Sequence, residues 1–198
     1  SSVPRAEFEL TVLLGKGGGE VETPVGKHWL IQRPVLSLWP EFAKLQDRAE
    51  CCFAGDEDAS ADWMQFRQHF PARAKFLDLE TCGFAGSIVF LVGLIHETGE
   101  GVVLSQLLAR NYAEESPMLW SLWDLLASGD VLITFNGKSF DWPMVHDRST
   151  LHRLAKQREL AIPATHIDLL HHARRRYRRE LPNCRLQTLE WYLCGRRR

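Results

Sequence analysis

From Pro71 onward the hydrophobic and polar positions fall into clear blocks. Lys75 to Thr81 reads as a strand. Ser87 to Ile95 (SIVFLVGLI) is continuously apolar and rich in β-branched residues, as expected of a strand buried on both faces. The turn residues HETGEG follow, and VVLSQLL returns as a third strand, which predicts an antiparallel meander. Ser116 and Pro117 read as an N-cap and the first helical position. Leu119, Leu122, Trp123 and Leu126 then recur at helical spacing, and Gly129 ends the run. DVLITFN is a fourth strand. A helix from about Pro143 carries Met144, Val145, Leu151, Leu154 and Ala155 on one stripe. ATHIDLL gives a short fifth strand running into an arginine-rich helix, and a last helix covers about Cys184 to Leu193.

This order predicts an α/β fold: a mixed five-stranded sheet with helices on both faces, in which the first and fourth strands lie side by side and parallel. Residues 1–70 read differently, as an N-terminal extension of short strands with a helix near Ala61 to Phe70. The run Gly17, Gly18 and Gly19 looks like a flexible turn between extended pieces. The expected division is therefore 1–70 and 71–198.

Charge sharpens the picture. The net charge of -1 excludes an argument from overall basicity. Its distribution is uneven: Glu41 to Asp62 holds seven acids against two bases, and His166 to Arg198 holds nine arginines against three acids. The basic end fits a polyanionic partner. Five cysteines, with an adjacent Cys51-Cys52 pair and no C-x-x-C motif, point to reduced thiols. No apolar run approaches the ~20 residues that span a bilayer. The start SSVPRAEFEL lacks the layout of a secretory signal, so no membrane role and a cytoplasmic location are expected.

The stretch KFLDLETCG interrupts an apolar pattern with two acids. Side chains at i and i+2 of a strand share a face, so Asp78 and Glu80 project together while Leu77 and Leu79 enter the core. Two close carboxylates repel, and a hard divalent cation is the usual remedy. Asp141, in ITFNGKSFDWPMV, sits just past the end of the fourth strand. Parallel pairing would bring it to the same crevice, where open α/β sheets bind ligands. Other chemistry is weaker. His166, His171 and His172 lack a second ligand pair for zinc. Cys82 lacks the partners of a thiol nucleophile. Trp120 and Trp123 read as packing residues. Arg174, Arg175, Arg178 and Arg179 form a basic stripe beside the apolar stripe of Leu170, Ala173 and Tyr177, with Trp142 and Tyr177 as aromatic supports for bases.

FLDLETCG and LITFNGKSFDWPMV resemble the first and second motifs of the DEDD 3′–5′ exonucleases of the ribonuclease H-like fold. HIDLLHHARRRYRRELPNCRLQTLE resembles the YprB-type prokaryotic branch of that superfamily. The resemblance covers about Pro71 to Arg198 and implies a metal-dependent nuclease acting on DNA or RNA, with a single-stranded 3′ end as substrate. It assigns Asp78, Glu80 and Asp141 to two Mg²⁺ or Mn²⁺ ions. Thr81, Cys82, Gly83, Asn136, Lys138, Arg174, Arg175 and Arg178 would face the substrate, with Asn136 fixing the loop of Asp141. The family also uses a fourth acid on a late helix, which nothing after Asp168 supplies. Asp168 itself is expected to act structurally or behind the metal ligands. The domain is thus expected to be incomplete at its C-terminus and weakly active by itself. The other expectation is a non-catalytic nucleic-acid-binding module.

Overall fold

The computed structural model describes residues 18–44, 61–83 and 87–195. Strands β1 (Gly18–Thr23) and β2 (Gly26–Pro34) form a hairpin, followed by a short helix α1 (Val35–Leu38) and then α2 (Ala61–His69). The meander comprises β3 (Ala74–Thr81), β4 (Val89–Thr98) and β5 (Gly101–Leu108). Then come α3 (Glu115–Leu125), β6 (Val131–Thr134), α4 (Asp141–Leu151), β7 (Thr165–Asp168), α5 (Leu169–Tyr177) and α6 (Leu186–Cys194). The acidic stretch around Cys51 and Cys52 lies outside the described residues.

The strands form one mixed sheet in the order β1-β2-β5-β4-β3-β6-β7. It has seven strands where five were expected, because the β1–β2 hairpin pairs onto β5 and lengthens the sheet. Gly17 lies outside the described residues, and the other two glycines of the run are not the turn. Gly18 and Gly19 open β1, paired with Ile31 and Leu30. A Cβ on Gly18 would collide with the Trp29 indole, which lies across this bare stretch of backbone. The expected parallel neighbours are present: Ala74, Lys75 and Phe76 of β3 pair with Val131, Leu132 and Ile133 of β6.

Two apolar clusters cover the two faces of the sheet. The larger packs Met118, Leu119, Leu122 and Trp123 of α3, with Met144 and Val145 of α4, onto Leu77, Leu79, Val92, Leu94 and Leu107. The smaller joins Ala74, Val131, Ile133 and Ile167 to Phe66 and Phe70 at the end of α2. Helices therefore lie on both faces. The alternation of β3 decides what each face holds: Leu77 and Leu79 are buried, whereas Asp78 and Glu80 are exposed on the Ala74–Phe76 side.

Helix boundaries depart locally from the sequence reading. α3 starts at Glu115, ahead of Ser116-Pro117, and has no side-chain cap. Glu115 is 1% exposed and bonds at long range instead. It accepts from the Val89 N–H at 2.8 Å, from Arg148 Nε at 2.7 Å and bonds His152 Nε2 at 2.7 Å. Burial alone would raise its pKa, but these partners hold it below the usual carboxylate range. α4 begins at Asp141 and stops at Leu151, so Leu154 and Ala155 belong to a separate 3₁₀ turn, Leu154–Lys156. Trp142 packs its ring edge-on to Trp123, His146 and His166 beside the larger cluster, not as a platform for bases.

Candidate nuclease-type site

The candidate residues gather at the C-terminal ends of β3 and β6. α2 covers the lower half of the β3 face through Phe66 and Phe70, and leaves Asp78 and Glu80 open above it. The β3–β4 register shifts at Glu80/Thr81, where the edge of the site begins. Beyond it Thr81 is half-buried, Cys82 is an exposed free thiol, and Gly83 has a φ of 132° that favours glycine.

The segment after β6 is built by backbone bonds. Asp168, 1% exposed at the end of β7, accepts from the N–H of Asn136 at 2.8 Å and of Lys138 at 3.2 Å. It also accepts from the Leu170 N–H at 3.0 Å, capping α5. One carboxylate thus ties the Asn136–Lys138 turn to the arginine helix. Asn136 takes the left-handed conformation, φ 69°, which asparagine tolerates. Gly137 is obligatory for space: a Cβ there would overlap Thr134 and stand 2.5 Å from its Oγ1. The turn delivers Asp141 to the first position of α4, where an acid is favoured by the helix dipole.

Asp141 is 5% exposed, and its pKa rises to about 6. Burial is the main cause; the negative charges of Asp78, Asp168 and Glu80 add to it. The four acids therefore share one electrostatic neighbourhood. Beside them His166 is pushed down to about 4, chiefly by burial, and bonds Thr134 Oγ1 at 2.9 Å. His172 is drawn away toward Asp62 of α2, at 3.1 Å.

Hard carboxylate oxygens under mutual repulsion suit a divalent cation in their chemistry. Among the described residues, however, no group of three or more His, Cys, Asp or Glu side chains stands close enough to hold an ion as it is. Lys138 and Asn136 are exposed on the turn, and Arg174, Arg175 and Arg178 are exposed on α5. Among the described residues these three arginines make no ion pair, whereas Arg176 bonds Glu180 at 2.6 Å. The sequence reading missed Gly137 and Glu115. The first was visible only as a glycine between motif residues, and the second had no local signal.

With its sheet order and acidic crevice the molecule has a nuclease-type architecture. The chain belongs to the RNase_H superfamily, whose family profile matches residues 75–198. It is 37% identical over 130 residues to the Uncharacterized protein YprB of Bacillus subtilis (strain 168). That match covers 62% of this chain and 30% of the Bacillus protein, so the chain spans under a third of that relative's length. Among the described residues no helix is long and apolar enough to cross a membrane.

Proposed function

We propose that this chain carries the catalytic face of a divalent-metal-dependent nuclease that removes nucleotides from the 3′ end of single-stranded DNA or RNA. The observation that carries the reading is the group of Asp78, Glu80 and Asp141 at the ends of two parallel neighbouring strands, close enough that the charges of Asp78 and Glu80 add to the burial that raises Asp141 to about 6. Asp78, Glu80 and Asp141 would hold two Mg²⁺ or Mn²⁺ ions. Ions so held lower the pKa of a bound water and stabilise the leaving oxygen of an in-line phosphoryl displacement. Asp168 keeps the turn before Asp141 in place. Thr81 to Gly83 and Lys138 border the terminal nucleotide, and the free arginines of α5 neutralise the phosphates behind it.

The test is degradation of an end-labelled single strand with added Mn²⁺. Activity should vanish in EDTA and fall about 100- to 1000-fold in Asp78→Ala, by analogy with loss of a positioned electrostatic group. Undiminished hydrolysis by Asp78→Ala sinks the proposal. The exposed α5 arginines, which need no metal to hold phosphates, favour one other reading, a nucleic-acid-binding module without catalysis. Calorimetry separates the two. Mn²⁺ heat that disappears in Glu80→Ala supports the nuclease, and salt-sensitive oligonucleotide binding indifferent to Mn²⁺ supports the module.

A further inference from the structure

A second concave feature lies on the same sheet face as Asp78 and Glu80, between α2, α5 and α6. It is a cavity of about 650 Å³, a size ordinary for ligand sites. Trp63, Phe135, Leu169, Tyr177, Leu189 and Leu193 give it apolar walls. Leu169 packs on the same cluster as Phe76, which fixes the side of the sheet. Phe135 follows β6 directly and precedes Asn136, so the cavity and the acidic crevice share the turn held by Asp168.

Its surroundings say what would fill it. Arg175 and Arg176 stand on the wall, and Arg174, Arg178 and Arg179 continue the positive surface outward. Arg174, Arg175, Arg178 and Arg179 make no ion pair among the described residues. Glu190, on the α6 side, disfavours an anion within the cavity itself. The ligand is then apolar and flat at one end and anionic at the other. Trp63 is 42% exposed and Leu193 55% exposed, so the mouth is open to solvent.

We infer that this cavity is a base-binding slot for an unpaired nucleotide of the substrate strand, with its phosphates on the α5 arginines. The inference rests on the nuclease reading and deepens it, because it assigns α2 of the N-terminal region a part in choosing the substrate. Aromatic walls accept any base by stacking, which is sequence-tolerant. A duplex keeps its bases paired and cannot enter. The slot therefore selects single strands by shape, while the arginines supply affinity without selecting.

Fluorescence anisotropy in EDTA, where no hydrolysis occurs, tests the slot apart from catalysis. The probes are a labelled single-stranded oligonucleotide, the same strand with abasic sites, and a duplex. Trp63→Ala should weaken binding of the intact single strand about 10-fold, the scale of one lost stacking contact. Leu193→Gln, a neutral change at an exposed position of the mouth, should do the same with an unchanged melting curve. Binding of the abasic strand and the duplex should stay at the wild-type level in both variants. Arg175→Gln should weaken all three probes. If Trp63→Ala and Leu193→Gln bind the intact strand as wild type does, the slot inference falls, and the cavity belongs to a protein segment instead. Mn²⁺-dependent hydrolysis that survives in that case leaves the nuclease reading standing. Loss of the single-strand preference in the slot variants of a protein without any hydrolysis overturns the nuclease reading alone.

Discussion

Asp168 commits both carboxylate oxygens to backbone N–H groups, at Asn136, Lys138 and Leu170. Asp168→Ala would leave these donors without their buried acceptor and remove a helix cap. We expect a loss of about 2–4 kcal/mol, measured as a lower urea midpoint at constant m-value. Gly137→Ala makes a sharper test of the site. Its Cβ would overlap Thr134, a branched residue that is itself buried and cannot swing aside. The turn must then move, carrying Asp141 with it. The expected result is at least a 10-fold loss in Mn²⁺-dependent hydrolysis with a fall in melting temperature of only a few degrees. Equal activity would mean that the position of Asp141 does not matter to the reaction. At this scale the sequence offered the acids as candidates and gave Asp168 a structural part, but not the partners through which it acts. Asp78 and Glu80 show in a local alternation of period two, whereas Asp168 meets partners 30 and 32 residues away.

Among elements, the same division between near and distant causes recurs. The parallel pairing of β3 with β6 followed from element order alone, as did the meander. The start of α3 did not, because Glu115 enters the helix to meet Arg148, His152 and the Val89 N–H, joining α3 and α4 to the head of β4. Glu115→Gln should cost about 3 kcal/mol, since it leaves a mostly buried arginine without its counter-charge. The pH dependence has a definite sign. A carboxylate whose folded pKa lies below its ordinary 4.5 stabilises the fold above that pH and loses this effect as the pH falls through the folded value. The stability gap between wild type and Glu115→Gln should thus be full at pH 6 and shrink below about 4.5, read from urea melts across pH. The strand β1 was illegible for a similar reason. Glycines read as a turn until the Trp29 ring, eleven residues on from Gly18, is seen to lie against it.

For the molecule as a whole, the β1–β2 hairpin is the outer third of a continuous sheet. It bonds to β5 along six residue pairs and sends His28 to Ser121 of α3 at 2.8 Å. A chain beginning at residue 61 would expose the β5 edge, and unpaired edges invite association. Such a chain should elute from a sizing column as oligomers or precipitate, while the full chain does not. Binding to nucleic acid should fall steeply with salt, and each α5 arginine replaced by glutamine should flatten the slope of log K against log salt by somewhat under one unit. The divided strand β3 has one more consequence, for heredity. An in-frame insertion of one codon between Ala74 and Leu77 would turn the strand over, sending Asp78 and Glu80 toward the packed core and Leu77 and Leu79 to solvent. Two inserted codons would restore the facing. Tolerance to length change in this gene should therefore follow the parity of the insertion, and drift along β3 is confined to substitutions that keep the count.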